Sequence, residues 1–242
     1  NYGTVAAVSF AAAFPLMTAL FEYHMFRAGD MDAIYCLLFG TAMIALYETS
    51  RGKRGMLQLY GAAFGLAFLA KSIHAGIILV IGYLFLPCMW RNLKRKSVIP
   101  AALIAAGIPG IWAFARFRFD GTRFLYTMVF GEASDKIRSS VNLYYLQDIA
   151  KSKIWILMWA VLLLDLLIGL NETDRKGSIW TFLSVRLKDN YLYVLWLFVP
   201  VLLYSCAGSH MPWYIYTSYI AAAVVTGITV QDIGRRLCHR KI

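Results

Sequence analysis

The segment EYHMFRAGDMDAIYCLLFGTAMIALYE, residues 22–48, joins a dense group of charged side chains to an apolar run that is long enough to enter a lipid bilayer. Arg27, Asp30 and Asp32 lie directly before that run. A helix that begins near Asp32 directs its unpaired N–H groups and the positive end of its dipole toward both carboxylates, which favours their ionised form. The segment therefore predicts a transmembrane helix with an acidic group at the membrane face. An ordinary helix N-cap is the alternative, because Asp is a favoured capping residue, although the density of the cluster argues against it.

The composition indicates a membrane protein. Of the 242 residues, 60% are hydrophobic and only 15% are charged, and the mean hydropathy is +0.60. A soluble domain carries about 25% charged and about 45–50% apolar residues. We therefore predict an all-α, polytopic transmembrane helical bundle that forms a single domain over residues 1–242. The net charge of +11 does not indicate a nucleic-acid partner, because the basic residues lie in short clusters between apolar runs, where the positive-inside rule places them.

The N-terminal residue and the cysteines carry little further information about fold. The chain begins with Asn, and no basic segment with a small-residue cleavage site precedes the first apolar run, so the sequence shows no signal peptide. We expect the chain to begin partway into a longer protein. The four cysteines stand far apart without a CxxC spacing, so no disulfide framework is predicted.

Eight apolar segments are candidates to span a bilayer, which takes about 20 residues with a range of roughly 17–25. They cover residues 3–21, 32–48, 56–70, 74–90, 98–114, 154–170, 191–207 and 213–230. The third and fourth segments predict a tight helical hairpin with Lys71 near its tip. Residues 115–153 lack a spanning run and mix aromatic with basic side chains, so we predict short interfacial helices there. Asp165 lies inside the sixth segment without a charged neighbour, and we interpret it as a structural residue at the inner end.

The basic residues predict the orientation. Fifteen of the 24 Lys and Arg lie in connections on one side, whereas the short connections of the other side hold only Arg27 and Lys71. Long loops translocate largely regardless of their charge, so the short connections decide the orientation. The fifteen are Arg51, Lys53, Arg54, Arg91, Lys94, Arg95, Lys96, Arg175, Lys176, Arg186, Lys188, Arg235, Arg236, Arg240 and Lys241. The outward side is then expected to carry Asp30, Asp32, Lys71, residues 115–153 and the Ser209–His210 loop.

The residues that could support chemistry all fall on this outward side. Arg116, Arg118 and Arg123 are placed to meet lipid phosphates, with an aromatic belt and snorkelling arginines as the alternative. Lys71 stands alone at the tip of the predicted apolar hairpin. We interpret it either as a point charge that binds phosphate or as a snorkelling lysine. His74 and His210 share no metal-ligand spacing, so a His-based metal site is disfavoured. The sequence does not require a divalent metal and leaves the metal requirement open.

Three motifs, in order along the chain, resemble one family. The motifs are FRAGDMDAIYCLLFGTAMIALYE (26–48), YGAAFGLAFLAKSIHAGIILVIGYLF (60–85) and WLFVPVLLYSCAGSHMPWYIYTSYIAAAVV (196–225). The first is similar to the Arg-x-Gly-Asp-x-Asp-Ala segment of lipid-linked-sugar glycosyltransferases of the GT-C class, the superfamily of bacterial aminoarabinose transferases and protein O-mannosyltransferases. The second is similar to their Gly-Leu-Ala-Phe-Leu-Thr-Lys-Gly hairpin, and the third resembles their Ser-x-x-Lys-x-Pro-x-Tyr-x-x-Pro helix pair.

The resemblance implies an enzyme of the bacterial inner membrane that moves a sugar from a polyprenyl phosphate to a lipid, glycan or protein acceptor on the outer side. It assigns Asp32 and Asp30 to an acidic catalytic position and Lys71 to the side of the donor phosphate. The expected substrate-binding residues are Arg27, Lys71, Arg116, Arg118, His210 and Tyr214. The chain departs from the family where His210 replaces a lysine. The family carries its principal catalytic aspartate in the first outward loop, and the resemblance leads us to expect that this loop lies outside the present chain.

Two other classes remain open from the residues alone. A polytopic transporter or lipid flippase would be favoured by an inverted repeat, by broken helices or by several buried charges, and of these the sequence shows only Asp165. A structural membrane subunit would predict no outward cavity.

The orientation is testable by cysteine labelling in intact cells. We expect both the starting residue and the Arg235–Lys241 tail to be cytoplasmic. A reagent that cannot cross the membrane should therefore label a cysteine at Arg118 but not one at Lys94. Labelling at Lys94 from outside would show that the orientation is wrong.

Overall fold

The protein is a bundle of helices. The structure is a computed structural model, and it describes residues 3–22, 30–132, 143–172, 179–208 and 210–239. Within these ranges every regular element is a helix, which confirms the predicted all-α class. The α-helices are α1 (Thr4–Ala13), α2 (Ala19–Glu22), α3 (Met31–Ser50), α4 (Met56–Lys71), α5 (Gly76–Met89), α6 (Arg95–Asp120), α7 (Arg123–Tyr126), α8 (Tyr144–Lys151), α9 (Lys153–Glu172), α10 (Ile179–Asp189), α11 (Tyr191–Ser205) and α12 (Tyr216–His239).

Five helical stretches among the described residues are long and apolar enough to cross a membrane. They are Met31–Ser50, Met56–Asn92, Arg95–Asp120, Lys153–Leu170 and Pro212–Cys238. The second contains both α4 and α5, which are separated by a 3₁₀ turn at Ser72–Ala75. Two shorter apolar helices, Thr4–Leu16 and Tyr191–Ser205, correspond to the remaining predicted spans. Each of the eight predicted segments therefore has a helical counterpart.

Helices α4 and α5 form the predicted antiparallel hairpin. The Tyr60 hydroxyl on α4 donates a hydrogen bond to the carbonyl oxygen of Ile78 on α5, over 2.8 Å. Asn92, just after α5, donates to the carbonyl oxygen of Ser50, over 2.5 Å, so α5 ends close to where α4 begins. Lys71 and Ser72 therefore lie at the tip of the hairpin, as the sequence predicts.

Helix α4 packs closely against α6 through glycines. A Cβ atom at Gly61 would overlap the backbone carbonyl of Ala101, and one at Gly65 would lie 2.9 Å from the Cβ of Ile108. Small residues at such positions let two helix backbones approach each other, as is usual in membrane bundles. A larger side chain at either glycine would push α4 away and shift the hairpin tip.

Three boundaries differ from the prediction. The first segment, predicted as one span over 3–21, is broken into α1 and α2 because Pro15 has no N–H to continue the helix. Helix α6 runs to Asp120 and not to 114, so Arg116 and Arg118 lie on a helix and not in a loop. Helix α10 was not predicted, because it is too short to span a membrane. Short helices do occur between α6 and α9, while residues 133–142 lie outside the described residues.

The fold brings charged partners to Asp165. This buried carboxylate on α9 accepts a hydrogen bond from Arg186 Nη2 of α10, over 3.1 Å, and also pairs with Arg236 of α12. Arg186 Nη1 in turn donates to Asp232 Oδ2 of α12, over 2.7 Å. These ion pairs join three helices at one end of the bundle. They support the structural interpretation of Asp165.

Replacing Asp165 should therefore lower stability. Asp165→Asn removes the negative charge and leaves two arginines without their buried carboxylate, and breaking a buried pair costs about 3–5 kcal/mol. The matched control is Glu48→Gln, because Glu48 pairs with the exposed Lys53 at 3.3 Å and exposed pairs contribute about 0.2–1 kcal/mol. Thermal unfolding of the purified protein in detergent measures both. Equal melting temperatures for the two variants would contradict a structural role for Asp165.

Candidate functional site

The tip of the α4–α5 hairpin has an unusual backbone. Helix α4 ends at Lys71, and Ser72 adopts φ 47° and ψ −125°. Among the described residues, Ser72 is the only non-glycine residue with a positive φ. Such conformations cost free energy and cluster at functional sites. The Ser72 Oγ atom is buried, with no hydrogen-bond partner among the residues that the structure describes.

Lys71 forms a buried ion pair with Asp32. The ammonium Nζ contacts Asp32 Oδ1, and the two side chains are only 15% and 9% exposed. The pair joins the hairpin tip to the first turn of α3. Because a buried charge without a partner is costly, each group stabilises the charged form of the other.

Asp30 and Asp32 have different roles in the fold. Asp30 is the N-cap of α3, and its Oδ1 atom accepts a hydrogen bond from the backbone N–H of Met31, over 2.7 Å. The N-cap alternative therefore holds for Asp30. Asp32 lies inside the first turn and points to Lys71, so capping does not account for it.

Two tyrosine rings border the Lys71 ammonium. Its Nζ atom lies 5.7 Å from the ring centroid of Tyr35 and 5.4 Å from that of Tyr214. Both distances suit a cation–π interaction, which is stronger where water is excluded. Asp32, Tyr35 and Tyr214 therefore surround the Lys71 ammonium. We call these three residues the Lys71 enclosure.

His74 connects the tyrosines of this region. Its backbone carbonyl accepts a hydrogen bond from the Tyr35 hydroxyl, over 2.8 Å, and its Nδ1 atom shares a hydrogen bond with the Tyr204 hydroxyl. Its ring lies 4.9 Å from the ring of Tyr214, between centroids. Sequence reasoning missed Tyr35 and Tyr204, because tyrosine in an apolar helix is ordinary. The position of Tyr35, three residues after Asp32 and so on the same helical face, was the available signal.

Helix α8 holds the turn that carries Tyr214. The Tyr145 hydroxyl donates to the backbone carbonyl of Met211 and accepts from its N–H, both over 3.0 Å. Burial raises the pKa of the Tyr145 phenol above its usual value, so the hydroxyl keeps the proton that it donates. Asp148 Oδ2 also accepts a hydrogen bond from the Tyr219 hydroxyl of α12, over 2.6 Å. These bonds fix the start of the turn Pro212–Ile215.

His210 packs against α8. Its ring centroid lies 5.7 Å from that of Tyr145 and 6.1 Å from that of Tyr144. Its Nε2 atom is buried, and none of the described residues offers it a hydrogen-bond partner. The structure therefore places His210 against the helix that holds the Tyr214 turn.

A basic cleft adjoins the hairpin tip. The cleft has a volume of about 460 Å³ and is lined by Ser72, Trp112, Arg116, Asp120, Arg123, Phe124, Thr127 and Met128. Arg116 Nη2 lies 2.5 Å from Asp120 Oδ2, one helical turn along α6. Arg118 is exposed and does not line this cleft, whereas Arg123 does. Arg27 lies outside the described residues.

Metal ligands do not converge in the described part of the chain. No group of three or more His, Cys, Asp or Glu side chains there could hold a metal ion.

Comparison with curated proteins gives several relatives that carry one name, undecaprenyl phosphate-alpha-4-amino-4-deoxy-L-arabinose arabinosyl transferase. The protein of Edwardsiella ictaluri (strain 93-146) is 26% identical over 230 residues, which cover 90% of this chain and 39% of the relative. That of Serratia proteamaculans (strain 568) is 23% identical over 214 residues, covering 84% and 36%. That of Yersinia pestis (strain Pestoides F) is 27% identical over 226 residues, covering 88% and 38%.

The chain resembles these transferases. The resemblance to lipid-linked-sugar transferases that the three motifs indicate is thereby confirmed. The chain is an integral membrane protein, and it spans less than two fifths of the length of these relatives. No protein-family model matches the chain, and no solved structure matches it.

The Tyr145 contact gives a local prediction. Tyr145→Phe removes both hydrogen bonds to Met211, so the turn before Tyr214 should open more often. A loss of about 1.4 kcal/mol in local stability corresponds to about tenfold faster amide exchange. Hydrogen exchange at Met211 measures it, and Tyr126→Phe, on the exposed face of α7, is the control. An unchanged exchange rate in Tyr145→Phe would contradict this role.

Proposed function

We propose that this chain forms part of a glycosyltransferase of the bacterial inner membrane, which moves a sugar from a polyprenyl phosphate to an acceptor on the outer side. The observation that carries the proposal is the buried Asp32–Lys71 pair inside its tyrosine enclosure, next to a basic cleft. The names of the relatives support a donor built on undecaprenyl phosphate. The acceptor would be a lipid, glycan or protein.

The residues suit this chemistry. In the transfer, the bond between the sugar carbon and the phosphate oxygen breaks, and a bond to the acceptor oxygen forms. The polyprenyl phosphate departs with the electron pair of the broken bond and so gains one negative charge, which a cation close by would stabilise without a proton. Lys71 is the cation at the tip, and Arg116 and Arg123 line the adjoining cleft.

The acceptor must lose its proton to a base. A carboxylate within hydrogen-bond reach of the acceptor hydroxyl meets this need. Asp32 pairs with Lys71, and it would serve as this base or orient the partner catalytic acid of the transferase. Asp30 caps α3 and would contribute only by holding that helix end in place.

A transporter or lipid flippase is the second candidate. Buried ion pairs at both ends of the bundle, Asp32–Lys71 and Asp165–Arg186, favour it, because intramembrane charges often mark transport pathways. The two functions differ in their product. A flippase moves the lipid-linked sugar intact, whereas the transferase releases polyprenyl phosphate.

Neutralising both members of the pair tests the proposal. Asp32→Asn and Lys71→Met each leave one buried charge unpaired and should lower stability by about 3–5 kcal/mol. The double variant removes both charges, so its stability should recover. If the pair is only structural, sugar transfer recovers as well.

Under the proposal, the double variant folds but does not transfer sugar. Loss of a general base or of its electrostatic partner costs about 10²–10⁴-fold in rate. The melting temperature measures the stability of each variant. Release of undecaprenyl phosphate from the lipid-linked sugar measures sugar transfer. Asp30→Asn is the matched control, because Asn caps a helix about as well as Asp does, so stability and turnover should both stay nearly intact. Near-normal transfer by the folded double variant would rule out catalysis by this pair.

A further inference from the structure

We propose that His74 is a positioning residue, which holds the tyrosines of the Lys71 enclosure and thereby fixes the Lys71 ammonium. The inference rests on the proposed function for its catalytic consequence, because Lys71 is the cation that would meet the donor phosphate. The positioning itself is a property of the fold and can be measured separately.

His74 has contacts in three directions, although it is only 6% exposed. Its carbonyl oxygen accepts the hydrogen bond of Tyr35, and its Nδ1 atom shares a hydrogen bond with Tyr204. Its ring packs at 4.9 Å from Tyr214, and the rings of Tyr204 and Tyr214 also lie 4.9 Å apart. Tyr35 and Tyr214 are the two rings that border the Lys71 ammonium. His74 therefore contacts both walls of the enclosure, Tyr35 through its backbone carbonyl and Tyr214 through its ring, and only the ring and its bond to Tyr204 depend on the histidine side chain.

His74 is close to Lys71 along the chain, and the flexible side chain of Lys71 needs surroundings that fix its position. His74 lies in the 3₁₀ turn Ser72–Ala75, three residues after Lys71. Lysine has a long, flexible side chain with high rotamer entropy, and it binds phosphate as a point charge without a fixed fork. Its position must therefore be set by its surroundings. Asp32 supplies the attraction, and rings held by His74 limit the volume that the ammonium can occupy.

A simple core histidine is the competing explanation. In that case His74 would fill space at the tip, and its replacement would lower stability without changing the surroundings of Lys71. The competing explanation also predicts that any residue of similar size restores the protein. The proposal predicts that the hydrogen bond to Tyr204 matters beyond volume.

The variants separate the ring from the hydrogen bond. His74→Phe keeps an aromatic ring of similar size but loses the Nδ1 bond, and Tyr204→Phe removes the same bond from the other side. His74→Asn keeps a hydrogen-bonding group near the position of Nδ1. Tyr60→Phe is the control, because it removes a tyrosine hydrogen bond within the same hairpin, at Ile78 and away from Lys71.

The first measurement is the rate at which an amine-specific acylating reagent modifies Lys71 in the purified protein, followed by mass spectrometry. His74→Phe and Tyr204→Phe should each raise this rate several-fold, and the double variant should add little, because both remove one bond. His74→Asn should retain more of the protection. If the acylation rate of Lys71 in His74→Phe matches that in Tyr60→Phe, whatever the melting temperature, the proposal is overturned and His74 is a simple core residue.

The second measurement is sugar transfer from an undecaprenyl-phosphate-linked sugar. His74→Phe should lower kcat/KM by about 10- to 100-fold, the scale expected when a binding group is misplaced by about 1 Å. His74→Asn should recover part of it, and Tyr60→Phe should match the wild type. Absence of transfer by the full-length wild-type transferase that contains this chain would refute the proposed function, while the acylation rates would still decide the positioning role. Transfer kinetics of His74→Phe equal to wild type would overturn the catalytic consequence.

Discussion

The ion pair between Asp32 and Lys71 is the contact on which the candidate site depends. Taking two charges out of water costs several kcal/mol per ion, and the pair repays this only with good geometry and further polar contacts. The two tyrosine rings beside Lys71 supply such contacts. The pair ties the start of α3 to the hairpin tip, so the position of each element constrains the other. A change in either helix therefore reaches the charged centre.

The rest of the bundle supports this contact through close packing. Gly61 and Gly65 let α4 lie against α6. On the opposite side, α8 holds the turn before Tyr214 through Tyr145. The site is thus made by elements that are distant in sequence, each fixed by its own short-range contacts. Its precision comes from the packing of apolar helices, although the groups that would react are polar.

The sequence was sufficient to predict the helical architecture and part of the candidate site. Apolar runs of membrane length predict the helices because lipid leaves the backbone no alternative to internal hydrogen bonds. The lone Lys71 between two apolar runs predicts the hairpin tip in the same way. Arg116 and Arg118 illustrate the limit. Mixed aromatic and basic residues look interfacial, yet α6 continues through them and turns the two arginines to different surroundings. Local composition does not report where a long helix ends.

Contacts between distant segments were beyond the reach of sequence reasoning. Asp165 has no charged neighbour along its own helix, and its partner Arg186 is 21 residues away, on a helix too short to be predicted as a span. Likewise, nothing local links His74 to Tyr204, which lies 130 residues later. Such pairs depend on how helices cross, and crossing depends on small residues and on side-chain volumes along the whole interface.

The two buried charged groups have different physical settings. Around Asp165, arginines from two helices meet the carboxylates of Asp165 and Asp232, so the charges there are largely balanced within the protein. At the hairpin tip, one ammonium meets one carboxylate beside a cleft with further arginines. A phosphate that entered this cleft would meet the arginines Arg116 and Arg123 that line it. The Asp165 network therefore differs from the tip in that no further arginine cleft adjoins it among the described contacts, and this cleft is what suits the tip to the anion binding proposed above.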